Sequence, residues 1–295
     1  MGEIVGAGLL AHVPTIVLPD EVRRGLNHGR ESTLHSGLHQ LRREVFDVLR
    51  PDVVIVFDSH WFTTVEFVVT SAKRRAGHFT SDELPRGMSS VPYAVPGQPD
   101  LAQRIAEIAD GTDQCWITAI ENEHLPPTYA TLNFLPFLQG EEAWLSLGVC
   151  QTAEPEDFAT VGRVVRQAIY ESDYRVVLIA SGALSHTFHT LRALREHEAA
   201  DEEHIYSSDA RTFDHRVIDA LERGDHAQVI AEMPEFLRVR PEGRFGHYQM
   251  MAHALGGEQC RAPGRRFSEY ENSIGTGQVH VWFDRPDGGW TGEGW

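Results

Sequence analysis

The sequence predicts an α/β fold, a single domain with a mixed central sheet flanked by helices. Three observations lead there. Short apolar runs of strand length, such as "VVIVF" (53–57) and "RVVLIAS" (175–181), recur along the chain. Between them, apolar residues step by three or four, the period of one helix face. No linker or internal repeat interrupts this alternation across the 295 residues, so the elements belong to one layered domain.

Taken in order, residues 4–11 are apolar and read as the first strand. The start, "MGEIVGAGLLAHVP", lacks a basic region and a clear cleavage site, so it reads as that strand and not as a signal peptide. Leu34, Leu38, Leu41, Val45 and Leu49 mark one face of a helix, and Pro51 stops it. Residues 53–57 are a buried strand, and a second strand pattern follows at 65–70. Residues 77–99 are rich in Gly, Pro and Ser and read as a long loop, a kind of segment that is usually functional. A helix near 99–109, a strand near 116–120, a helix near 128–138 and a strand at 143–149 come next. Phe158, Val161, Val165 and Ala168 mark another helix before the strand at 175–181. Residues 196–232 are charged and largely helical in pattern, and a helix near 246–255 and a strand near 278–283 complete the domain. Its bounds are set at 1–286, and "DGGWTGEGW" (287–295), without periodicity, is expected to be a flexible tail.

Composition narrows the function. Hydrophobic residues make up 41% and charged residues 23%, ordinary for a globular protein. No apolar stretch reaches the roughly 18 residues that span a bilayer, so no membrane role is expected. The formal net charge of −17 argues against a nucleic-acid partner. An anionic small molecule remains compatible, because a local Arg cluster overrides the global field. Cys115, Cys150 and Cys260 are far apart and form no CxxC, which suits a reduced cytoplasm without structural zinc or disulfides.

The chemistry is suggested by where three apolar runs stop. "GAGLLAH" ends in His12, "VVIVFDSHW" carries His60, and "VVLIASGALSH" runs into His186. All three follow the carboxyl ends of predicted strands, where open α/β sheets bind ligands. His12 and His60, separated by a helix, suit two neighbouring strands, and neutral imidazole is the commonest protein metal ligand. Each is equally read as a hydrogen-bonded strand-end histidine. Asp58 either orients a ligating ring or caps the turn. Two histidines and one carboxylate would make the facial triad of non-haem iron oxygenases. The 43 acidic residues do not by themselves say which carboxylate; Glu242, in "RPEGRFGHY", sits on a rigid loop before a helix. His186 follows a small-residue turn and suits a general acid/base. "SGALS" lacks the G-x-S-x-G nucleophile elbow. His28 and His247 stand beside glycines and are either substrate contacts or ordinary surface and helix-end residues.

"HVPT" (12–15), "NHG" (27–29), "VFDSHW" (56–61), "FTSDELPRGM" (79–88), "ASGALSH" (180–186), "PEG" (241–243) and "GTGQV" (275–279) together resemble the type III extradiol ring-cleaving dioxygenases. This is the family of the protocatechuate 4,5-dioxygenase catalytic subunit. The resemblance runs from about residue 4 to 284 and is nearest to its homoprotocatechuate 2,3-dioxygenase branch. It implies Fe(II) held by His12, His60 and Glu242, with His186 as acid/base. Where many members carry a histidine, "PTYATL" has Tyr129, a candidate hydrogen-bond donor. The implied reaction is extradiol cleavage of a catecholic acid by O2, with 3,4-dihydroxyphenylacetate the leading substrate and other catechols or aminophenols the alternatives. A homo-oligomer is implied as well. Arg86, Arg240 and Arg244 are the candidate partners for a substrate carboxylate. Two other classes compete. A zinc hydrolase would use the same residues, though HExxH is absent, and a non-enzymatic binding protein would use the same scaffold.

Overall fold

The structure, a computed structural model, describes residues 1–112 and 114–292. Its strands, in chain order, are β1 (Glu3–Leu10), β2 (Val53–Thr63), β3 (Phe67–Thr70), β4 (Arg74–Phe79), β5 (Val91–Pro96) and β6 (Ile117–Ile120). They continue with β7 (Ala143–Cys150), β8 (Arg175–Ser181), β9 (Gly264–Arg266), β10 (Glu271–Ser273), β11 (Thr276–Gln278) and β12 (His280–Asp284). Eight of them form one sheet in the order β6-β3-β7-β2-β8-β1-β12-β9. The central neighbours β7, β2, β8 and β1 run parallel, whereas β12 is antiparallel to β1, β9 to β12, and β3 to β7. The sheet is therefore mixed, as the alternating pattern predicts.

Both faces of the central strands are covered, which is why they read as continuous apolar runs. Val53, Ile55 and Phe57 point to one side, into a core shared with the helices Pro155–Tyr170 and Gly246–Ala254. Val54 and Val56 point to the other, beside Leu34 and Leu38 of the helix Thr33–Leu41, with Trp144 and Trp282. Each such side chain contributes about 1.5–3 kcal/mol on burial. The helix Pro155–Tyr170 starts where it does because Glu154 and Asp157 exchange capping hydrogen bonds and Pro155 needs no donor.

Several expectations are corrected. The long loop expected at 77–99 is shorter: β4 and β5 pair as a hairpin and take up 77–79 and 91–96, and the loop is 80–90. Pro92 and Pro96 hide the strand signal, yet a two-stranded ribbon leaves room for residues without a donor. The helix expected at 128–138 is two short ones, Tyr129–Leu132 and Leu135–Leu138. The first part of the charged 196–232 stretch has only short 3-10 turns of helix, Leu194–His197 and Glu202–His204, and α-helix begins at Ser208. Within the segment expected as a flexible tail, Trp290 is buried and its indole N–H donates to Ile4 O at 3.0 Å. A large ring with one donor outweighs its Gly-rich surroundings. Residues 293–295 lie outside the described residues. Among the described residues no helix is long and apolar enough to cross a membrane, and the described cysteines are all free.

Candidate metal centre

Parallel register assembles the site. Leu10 of β1 and Asp58 of β2 both pair with Ser181 of β8, so these three positions lie level across the sheet. His12 follows two residues after Leu10, and His60 two residues after Asp58. The sequence places the end of the second strand at 57, but β2 continues to Thr63 through an irregularity between Asp58 and Phe62. Asp58 makes that bulge possible. Its Oδ1 accepts the amides of His60 and Trp61, each at 3.0 Å, in place of ladder partners. Thr128 and Thr131 hydroxyls donate to the same carboxylate. Asp58 thus shapes the backbone under His60 and makes no contact with the ring itself.

Glu242 arrives from a distant loop. Pro241 bridges to Ser185, and Glu242 N donates to Leu184 O at 3.1 Å. The chain then turns through three left-handed residues, Gly243 (φ 53°), Arg244 (φ 55°) and Phe245 (φ 58°). Glycine adopts this freely, while the other two cost about 1–2 kcal/mol each. The turn brings Glu242 Oε1 to 3.4 Å from His12 Nε2 and 3.3 Å from His60 Nε2. The three residues offer ligand atoms within 4.8 Å of one another, a set able to hold a metal ion. Two imidazoles and one carboxylate fit a transition metal such as iron, with coordination positions left open.

Hydrogen bonds prepare these ligands. The Ser181 hydroxyl donates to Ala130 O at 2.6 Å, so its oxygen must accept from His12 Nδ1, 2.9 Å away. That fixes the tautomer and leaves Nε2 with a lone pair. Glu242 accepts from Ser59 Oγ and from Ala183 N, both at 2.6 Å. Burial pushes the Glu242 carboxyl up, but His12 and His186, with further help from His60, hold it well below the usual carboxylate range. For His60, burial is likewise the largest influence and lowers the pKa; hydrogen bonding to Glu242 and the charges of Glu242, Asp58 and Glu83 reverse it, a net rise.

His186 completes the group, its Nε2 3.9 Å from Glu242 Oε2. Burial lowers its pKa against the pull of Glu242, which favours the neutral ring. Behind it, Asp214 accepts Ser185 N at 2.9 Å and the hydroxyls of Ser185 and Tyr270, each at 2.6 Å. The 181–186 turn is also drawn tight at Gly182, where a Cβ would lie 2.5 Å from His247 Nε2. Tyr129 joins on the other side, its hydroxyl 2.8 Å from both His60 Nε2 and Glu83 Oε2. Burial and Glu83 push its phenol up, so it keeps its proton.

All five residues singled out in the sequence, His12, His60, Tyr129, His186 and Glu242, therefore converge. His28 is exposed on a left-handed turn, and His247 is fully buried with neither nitrogen bonded among the described residues. Arg86 and Arg240 are exposed, and Arg244 is committed to Ala153 O at 2.9 Å. Ser59, Ser181 and Asp214 escaped sequence reasoning, because a serine or aspartate beside a histidine carries no periodic signal.

The family described as the catalytic LigB subunit of aromatic ring-opening dioxygenase matches residues 6–283. The chain belongs to the LigB family. Like other LigB chains it is an extradiol dioxygenase, an oxidoreductase of ring cleavage. A 3,4-dihydroxyphenylacetate 2,3-dioxygenase from Escherichia coli is 25% identical over 244 residues, covering 80% of this chain and 84% of that one. A 2-aminophenol 1,6-dioxygenase beta subunit from Pseudomonas sp is 23% identical over 297 residues, covering 95% and 93%. The crystal structure of an uncharacterized protein from Escherichia coli K12 superposes with a TM-score of 0.63 at 18% identity, covering 95% of this chain and 99% of that one. That last likeness concerns the fold alone.

Proposed function

We propose that this LigB protein opens the ring of a catecholic aromatic acid with O2, 3,4-dihydroxyphenylacetate being the leading substrate, using Fe(II) held by His12, His60 and Glu242. The observation that carries the reading is the meeting of two imidazole Nε2 atoms with Glu242 Oε1, and of His186 with the other oxygen of that carboxylate. Bound iron would supply the open coordination positions at which a chelating catechol and O2 exchange electrons. The protein's own residues do the rest. Ser181 presents His12 in the ligating tautomer. Neutral His186 takes the proton from one catechol hydroxyl as the ring binds, and returns it to oxygen as the O–O bond breaks. Tyr129, the second catalytic candidate, stands against His60 with its proton donated to Glu83. The product is a muconic semialdehyde that carries both oxygen atoms.

A second reading keeps the mechanism and changes the substrate to an aminophenol. It is favoured by the likeness to the 2-aminophenol dioxygenase subunit, which spans 95% of this chain. The test is to purify the protein without oxygen, add Fe(II), and follow oxygen uptake and visible absorbance with each substrate. A yellow product with equal oxygen consumption on 3,4-dihydroxyphenylacetate supports the first reading. Uptake only with 2-aminophenol moves the substrate, and no uptake with either, despite bound iron, overturns both. A cytoplasmic, homo-oligomeric enzyme is the accompanying expectation, checked by cell fractionation and by light scattering.

A further inference from the structure

A cavity of about 290 Å³ opens beside His60, with Trp61, Phe79 and Tyr129 in its wall. Its size lies near the lower end of the roughly 300–1,000 Å³ of small-molecule sites and suits one substituted ring. Arg75, from β4, lines the same cavity. It is 2% exposed, and its Nη2 has no hydrogen-bond partner among the described residues. A buried guanidinium left without a partner is costly, so the position calls for an anion.

Among the described residues none supplies one in contact. The field of Asp58 reaches Arg75, but the Asp58 oxygens are already taken by two amides and two threonine hydroxyls. Burial pushes the Arg75 guanidinium down to about 10, against the fields of Asp58 and Tyr93, and it stays charged at neutral pH. Asp82 and Glu83 also line the cavity, but both are exposed, and Glu83 accepts the Tyr129 hydroxyl. Solvent screens such groups far more than it screens a buried cation.

We propose that Arg75 is the specificity-determining residue that pairs with the carboxylate of the aromatic substrate. Arginine suits this role because its planar fork meets both carboxylate oxygens at once. The identity of the ring rests on the ring-opening reading of the neighbouring centre, whereas the demand for an anion does not.

The test compares binding of 4-hydroxyphenylacetate with binding of its neutral amide, by calorimetry on the full chain. Neither probe has two adjacent hydroxyls, so binding is read without turnover. The wild-type protein should prefer the acid by about 10- to 100-fold, the worth of a charge-assisted hydrogen bond. Arg75→Met should erase that preference, and Arg75→Lys should keep part of it. An unchanged preference in Arg75→Met, or no preference in the wild type, overturns the proposal. If Arg75→Met does not fold, the wild-type preference and its reduction in Arg75→Lys decide. Oxygen uptake with catechols is measured alongside. An Arg75-dependent preference in a protein that opens no ring would sink the functional reading and keep the anion site. Ring opening with an acid preference indifferent to Arg75 would do the reverse.

Discussion

Two buried carboxylates, Glu242 and Asp214, clasp the same turn from opposite sides and differ in what surrounds them. Ala183 N donates to Glu242, and two residues later Ser185 N donates to Asp214. Each also receives hydroxyl hydrogen bonds. Glu242 faces His12, His60 and His186 and is held far below the ordinary range, whereas Asp214 is pushed up to about 6. For Asp214, burial dominates and the Ser185 and Tyr270 hydroxyls only moderate it. Neutral donors therefore do not outweigh desolvation here, whereas positive charge on the facing histidines does. One carboxylate is prepared as an anionic ligand, and the other positions the turn that carries His186.

The largest effect that would test this contrast is Glu242→Gln. It keeps the shape, removes the anion, and should reduce both iron retention and ring opening to background, read by metal analysis and oxygen uptake. A variant that kept its iron would break the assignment of Glu242 as a ligand. His186→Asn should lower kcat by about 10²- to 10⁴-fold, the range for a positioned acid/base, with iron content unchanged. Equal loss of iron would make His186 a ligand and not a proton carrier. Ser181→Ala frees the His12 tautomer and should weaken iron binding by about 10- to 100-fold, read by competition with a chelator.

The last effect falls on Asp214 and is one of stability, not of activity. Its folded pKa of about 6 lies above the ordinary value of 3.8, so the native state binds this proton more tightly than the unfolded one. The stability contributed by protonated Asp214 is fully present below about pH 4, is lost as pH rises to about 6, and stays lost above that. The window spans about 3 kcal/mol. Denaturant titrations at pH 4.5 and 7 should show the wild type losing its margin relative to Asp214→Asn across that interval. A difference that grows with pH would mean that the three donors win over burial after all.

Much of the scaffold was legible beforehand. The strands at 175–181 and 143–150, the helix along Phe158, Val161 and Val165, and the mixed sheet all follow from periodicity, because burial on both faces writes apolar runs into the chain. His12, His60 and His186 were legible for a related reason, since each breaks such a run at its end. Glu242 was not. Its loop carries no pattern, and only the resemblance to extradiol dioxygenases singled it out among the acidic residues. The β4–β5 hairpin was missed because its prolines mimic a loop, and with it went Arg75, which reads as one of two adjacent basic residues in "KRR".

The sequence by itself determined the central strands of the sheet, the three apolar runs that lead into histidines, and to which family the pattern is similar. These are local facts, set by side-chain period and by turn chemistry. Tertiary structure alone decided that Glu242 Oε1 stands 3.3 Å from His60 Nε2, 182 residues away in sequence, that Ser181 sets the His12 tautomer, and that Arg75 is buried with an unbonded nitrogen. Those facts depend on strand register and on loops closed across the sheet, and no window of neighbouring residues encodes either.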